Sequence, residues 1–184
     1  MKKILFILAV VSFITAGNQT LNAQDFPKMD ASPMDAATFP VNPKNWRDSN
    51  KMVKVVYSRP QLKGRSMDKL APKGKVWRTG ANEAAEITFY QDVVFGGANV
   101  KAGTYSLFTI PNDGNWTVIL SNQINLWGAY QYDQSGDVVR VEGTVSSIDT
   151  AVEAFSMLFT GEGTTPTFHM AWGTTLVSVP MSAQ

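Results

Sequence analysis

A chain of 184 residues, 44% apolar and 17% charged, holds enough material for one ordinary domain with its core and leaves little room for a separate cofactor domain. The absence of cysteine excludes disulfides, thiolate zinc and iron–sulfur centres, a cysteine nucleophile and a lipidated N-terminal cysteine. A formal charge of +1 provides no surplus of Lys and Arg to neutralise phosphates, so nucleic acid is not an expected partner.

The first segment reads as an export signal. Lys2 and Lys3 precede an apolar run from Ile4 to Ala16, and Ala23 is the small residue suited to cleavage before Gln24. The run is about 13 residues, short of the roughly 20 that span a bilayer, so no transmembrane segment is expected in the mature chain. Residues 1–23 are therefore expected to be removed, leaving a protein of the periplasm, cell surface or medium with a net charge of about −1.

From Gln24 to about Asn50, the prolines at 27, 33, 40 and 43 are too frequent for a regular element, and this reads as a lead segment docked on the domain through its Met residues, Phe39 and Trp46. Residues 51–184 read as the domain proper. Lys51 to Ser58 is β-branched and alternating, and Glu86 to Gln91 places Ile87 and Phe89 inward with Thr88 and Tyr90 outward. Gly96-Gly97 supplies a tight hairpin, and Asn112-Asp113-Gly114-Asn115 turns the strand at Gly103 to Ile110 into Trp116 to Leu120. Further strands are expected at 137–145, 152–159, 167–172 and 175–179. Only 66–70 and 122–127 suit helical turns. Roughly nine short strands make the expected fold all-β, an antiparallel two-sheet sandwich or jelly roll, and exclude a dinucleotide-binding architecture.

The motif search rejects most chemistry. Ser66-Met67-Asp68-Lys69 fits Ser-x-x-Lys, but the partner motifs of that enzyme class are absent and chance accounts for it. With His169 the single histidine, no multi-histidine metal site forms, and neither metal nor cofactor is expected. His169 among Phe168, Met170 and Trp172 reads first as a satisfied side chain on a sheet face and second as a general base. Asn115-Trp116-Thr117 fits an N-glycosylation sequon. Asp149-Thr150-Ala151 resembles the Asp-Thr-aliphatic acceptor of O-glycosylation in some secreted Gram-negative proteins, although a plain turn is the simpler expectation at both places.

What stands out is the run from Tyr57 to Glu83. It contains Arg59, Arg65 and Arg78, three of the chain's five arginines, together with Lys63, Trp77, Asn82 and Glu83. Arginine forks bind carboxylates and sugar hydroxyls and stack on aromatic faces such as Trp77 and Trp127. The pattern therefore points to a cleft for an anionic or carbohydrate ligand. An internal network, in which Glu83 or Glu86 satisfies Arg59 or Arg78, explains the same residues equally well.

Tyr57-Ser58-Arg59-Pro60, Lys63-Gly64-Arg65, the stretch from Gly74 to Ala84, Ala102 to Phe108 and Trp127-Gly128-Ala129-Tyr130 resemble the signature stretches of a family of secreted bacterial proteins known only as a domain of unknown function, DUF2911. Ser32-Pro33-Met34-Asp35 and Ala171-Trp172 also resemble its pattern, so the likeness runs from about Ser32 to Pro180; Gly173 stands where an acidic residue is more usual. The resemblance implies export and a β-rich domain, with no established activity, cofactor or catalytic residue.

Three readings of function follow. The first is a non-catalytic extracytoplasmic binding domain for a glycan, an acidic small molecule or a partner protein of the envelope, using Arg59, Lys63, Arg65, Trp77, Arg78, Asn82, Glu83 and Trp127. The second is a hydrolase with Glu83 as acid or base beside Arg78, helped by His169; Glu83 and Glu86 are expected on opposite faces, a poor carboxylate pair. The third is a structural envelope component.

Overall fold

The computed structural model describes residues 26–41 and 50–184. The leader with its Ala23–Gln24 cleavage point, and the docking of Trp46, lie outside the described residues.

The fold is all-β. Among the described residues, nine strands run antiparallel in one hydrogen-bonded sheet: β1 (Met34–Phe39), β2 (Val53–Ser58), β3 (Ala85–Phe89), β4 (Val93–Phe95), β5 (Ala98–Val100), β6 (Gly103–Ile110), β7 (Trp116–Ser121), β8 (Asp137–Thr160) and β9 (Thr167–Ala183). Their spatial order is β1-β2-β3-β6-β7-β8-β9-β4-β5. A four-residue helix, α1 (Met67–Leu70), and a 3-10 turn at Gln134–Gly136 are the helical pieces among the described residues. The first falls where a helical turn was expected; 122–127 is instead irregular.

Two expectations are corrected. Met34–Phe39, inside the proline-rich lead segment, is a regular strand paired along its whole length with β2. Pro33 and Pro40 flank it instead of interrupting it, and a strand at the end of the sheet order tolerates prolines at its limits. The four strands expected after residue 137 are two long ones. β8 pairs with β7 through Asp137–Gly143 and with β9 through its remainder, so one strand serves both parts of the sheet.

The burial pattern shows how the parts meet. Val53, Val55 and Tyr57 of β2 and Ile87 and Phe89 of β3 share one core cluster with Phe155, Met157 and Phe159 of β8 and Phe168, Met170 and Trp172 of β9. Period-two alternation thus puts the apolar face of each part against the other, an arrangement compatible with a sandwich. Gly96 marks a close approach: at φ 56°, a Cβ there would stand 2.7 Å from Val141 of β8.

A seam joins the end of β2 to the far half of β8. Phe155 N–H donates to Pro60 O at 2.9 Å and Leu62 N–H to Glu153 O at 3.1 Å. Where β2 diverges, side chains take over: Met157 N–H donates to the Tyr57 hydroxyl at 2.8 Å, and Arg59 Nε to Phe155 O at 3.1 Å.

β6 and β7 are buried on both faces over most of their length, with Leu107, Phe108, Ile119 and Leu120 fully enclosed. Their outer face, with Phe108 and Ile119, is covered by Leu126, Ala129 and Tyr132 of the loop after β7. The loop is tied down by a knot in which Tyr132 Oη donates to Asp137 at 2.8 Å while Arg140 donates to both Asp137 and Tyr132 at 2.6 Å. This cover positions the candidate site.

Candidate functional site

The site is built on the segment from Trp77 to Ala85. Trp77 pairs with Thr109 of β6 through both backbone groups, at 2.8 and 2.9 Å. Its indole points inward, stacked on Trp172 at 5.5 Å and edge-on to Phe155 at 5.0 Å. Trp77 is 5% exposed, so it is a core residue and offers no face to a ligand. Thr79 follows at φ 53° and Asn82 at φ 60°, both left-handed, a costly conformation for a β-branched threonine. The Thr79 hydroxyl holds it by bonding Trp77 O at 3.3 Å and Thr109 Oγ1 at 3.2 Å. Gly80 passes so close to β2 that a Cβ would lie 3.0 Å from Ser58 O.

Beyond this bend, residues 82–84 form a short ladder with the covering loop: Ala84 N–H donates to Leu126 O at 2.8 Å and Gly128 N–H to Asn82 O at 2.9 Å. Glu83 and Trp127 are therefore bridge partners. Trp127 is 63% exposed and Tyr130, whose ring lies over Gly128, 86%. Large aromatics this open are unusual outside contact surfaces.

Beside them is a hollow of about 230 Å³ walled by Asp30, Met34, Ser58, Asn82, Glu83 and Trp127, among others. Asn82 Nδ2 donates to Asp30 Oδ1 at 3.2 Å across it. A narrower hollow of about 40 Å³ adjoins it, sharing Met34, Ser58 and Glu83 and adding Tyr57 and Glu86. Glu83 and Glu86 thus line one space, contrary to the expectation of opposite faces, because Glu83 precedes the start of β3 at Ala85 and strand alternation does not govern it. Glu86 also accepts Asn125 N–H at 2.8 Å.

The arginines do not converge. Arg59 is pinned inside the seam, its Nη1 on Asp35 at 3.0 Å and its Nη2 on Ser156 Oγ at 2.7 Å, in addition to Nε on Phe155 O. Its carboxylate partner comes from β1, not from Glu83 or Glu86. Arg65 folds back on its own turn, donating to Leu62 O at 2.9 Å and Gln61 O at 2.7 Å. Lys63 is exposed on that turn, its backbone N–H on Glu153 at 2.6 Å. None of Arg59, Lys63, Arg65 and Arg78 lines the hollow. Arg78 differs from the other three. It is half-buried, its Nε is buried without an acceptor, and it has no carboxylate partner among the described residues. Burial pushes the guanidinium below its ordinary value, partly offset by the Tyr130 phenol nearby.

His169 lies elsewhere, half-buried, opposite Leu158 in the β8–β9 ladder. Its Nε2 is 2.8 Å from Thr160 Oγ1 and its Nδ1 2.8 Å from Ser178 Oγ. Burial lowers its pKa. No group of three or more His, Asp or Glu side chains suited to a metal ion occurs among the described residues. No helix among them is long and apolar enough to cross a membrane.

Asn82, Glu83 and Trp127 are thus brought together from two segments, while Arg78, in the same segment as Asn82 and Glu83, stays off the walls of the hollow. Sequence reasoning missed Tyr130, although it lies in the quoted Trp127 to Tyr130 stretch, and it missed Asp30, Met34 and Ser58. A family pattern described as "Protein of unknown function (DUF2911)" matches residues 40–181, nearly all of the β-domain. The chain belongs to the DUF2911 family. No curated protein and no solved structure matches it. The DUF2911 match takes in the Trp77 to Ala85 bend and the aromatic loop, whereas Asp30 and Met34, on the other wall of the hollow, precede it.

Proposed function

We propose that this protein is an exported, non-catalytic binding domain whose site is the hollow between Asn82, Glu83 and Trp127. Its ligand is a neutral sugar or another small molecule with a hydroxyl-bearing ring. Trp127 and Tyr130 offer apolar faces to a ring, and Asn82 and Glu83 offer polar groups that fix its orientation. The observation that carries the reading is Trp127, 63% exposed beside a hollow whose other walls carry the Asn82 amide and the Glu83 carboxylate. The Asp30 carboxylate on the same hollow, bonded to the Asn82 amide, adds a second acceptor and favours sugar hydroxyls over an anionic ligand.

The hydrolytic reading is weaker because His169 is absent from the walls of the hollow and both its ring nitrogens are engaged by hydroxyls. The test is an array of neutral and acidic glycans probed with the wild-type chain and with Trp127→Ala, Arg78→Met and Glu83→Gln. Trp127→Ala should weaken every ligand by at least about tenfold. Neutral members should bind in preference to acidic ones, and Arg78→Met, off the walls of the hollow, should leave that order of preference unchanged. Turnover of any array member that disappears in Glu83→Gln would instead establish the hydrolase.

A further inference from the structure

The triplet Asp149-Thr150-Ala151 does not sit in a turn. It lies within β8, where the ladder to β9 breaks: Ser147 pairs with Thr175 and Val152 with Gly173, so residues 148–151 face Thr174 alone. The surplus chain is thrown outward as a wide bulge. Gly173, at φ 57°, lets β9 bend opposite it without ending. Asp149, Thr150 and Ala151 are all exposed, in a conformation where neighbours on a regular strand would point to opposite faces. Neither the Asp149 carboxylate nor the Thr150 hydroxyl has a partner among the described residues.

We propose that Thr150 is an O-glycosylation site, with the Asp149 carboxylate and the small Ala151 side chain as the features a glycosyltransferase reads. Asp149-Thr150 is the one Asp-Ser/Thr pair of the chain followed by an aliphatic residue. The bulge presents the hydroxyl free of the sheet's hydrogen bonding, so the folded chain can be modified without unpairing a strand. In the transfer, a bond forms between Thr150 Oγ1 and the anomeric carbon of a phosphate-activated sugar donor. The bond from that carbon to the donor's phosphate oxygen breaks, the phosphate departs with the electron pair, and the hydroxyl proton passes to a base of the transferase. The proposal is independent of the ligand site and rests on export of the chain.

The test is intact-mass and peptide mass spectrometry of the full chain, purified from the envelope and medium of its own cell. The expected result is a Thr150 peptide heavier by a whole number of sugar residues. Thr150→Ala should return the chain to the bare polypeptide mass and Thr150→Ser should keep the increment. Asp149→Asn should lose it with an unchanged melting temperature, and a chain retained inside the cell by replacing Ile4 to Ala16 should stay bare. A bare Thr150 peptide in the wild-type chain, or an increment that survives Thr150→Ala, overturns the proposal.

Discussion

Tyr57→Phe isolates the seam between β2 and β8. The phenol is 3% exposed and accepts Met157 N–H at 2.8 Å; its return contact to Met157 O, at 3.5 Å, is long and adds little. The ring's edge-on contact with Phe155 at 5.9 Å survives the substitution, so what is lost is the hydroxyl. Removing it leaves the Met157 N–H unpaired in the core, which costs about 1–3 kcal/mol. For a chain of this size each kcal/mol lowers the melting temperature by about 2–4 °C, giving an expected fall of about 2–12 °C. The control is Tyr90→Phe, whose ring is 53% exposed and which should change stability by less than about 0.5 kcal/mol. Melting followed by circular dichroism reads the effect, and hydrogen exchange should show the Met157 amide losing protection before its neighbours. A Tyr57→Phe melt within 1 °C or so of wild type, with the Met157 amide still protected, would refute the idea that a side chain completes the ladder there.

Gly80→Ala should cost about 1–3 kcal/mol, since its Cβ would press on the Ser58 carbonyl at 3.0 Å and that backbone has little freedom to yield; urea unfolding measures it. Arg78→Met has the opposite sign for stability, a gain of about 0.5–2 kcal/mol from removing an unsatisfied buried donor, with ligand preference unchanged; calorimetry measures both. For His169, burial lowers the folded pKa below 6.5, so its contribution to stability is in place above that pH and is lost as pH falls through the folded value. His169→Gln should flatten that acid-side slope in melts taken as a function of pH. Tyr57 works in the other direction: burial raises its pKa above 10.0, so its contribution is whole below pH 10 and declines as the solution becomes more alkaline, a decline that Tyr57→Phe should diminish.

The strands with local signatures were legible. Alternation found β2 and β3, the Asn112–Asn115 turn marked the junction of β6 and β7, and Gly96-Gly97 found the β4–β5 hairpin. What misled was punctuation. Prolines at 33 and 40 bound β1 but read as breaking it, and the polar stretch near Asp149 read as a turn although its backbone stays extended. Asn82 and Glu83 were visible because they end a contiguous run of unusual residues from Tyr57, and Trp127 because it stands beside a glycine-containing turn. The fate of each arginine was not, because its partners are set by the fold. Asp35 lies 24 residues from Arg59 and Ser156 lies 97, separations over which neither composition nor periodicity carries information. The same distance separates an open cluster of guanidinium groups, which the charge pattern suggested, from the one half-buried Arg78 that the structure provides.

β9, latest in chain order among the described strands, lies between β8 and β4 in the sheet order. The β4–β5 hairpin, though made early, stays without its neighbour until residues near Met181 arrive to pair with Phe95. Tyr57 waits 100 residues for Met157. Contacts of such span slow folding to the millisecond-to-second range typical of non-local β topologies. A chain clipped before Thr167 would display the unpaired margins of β4 and β8 together, the kind of adhesive edge on which aggregates grow.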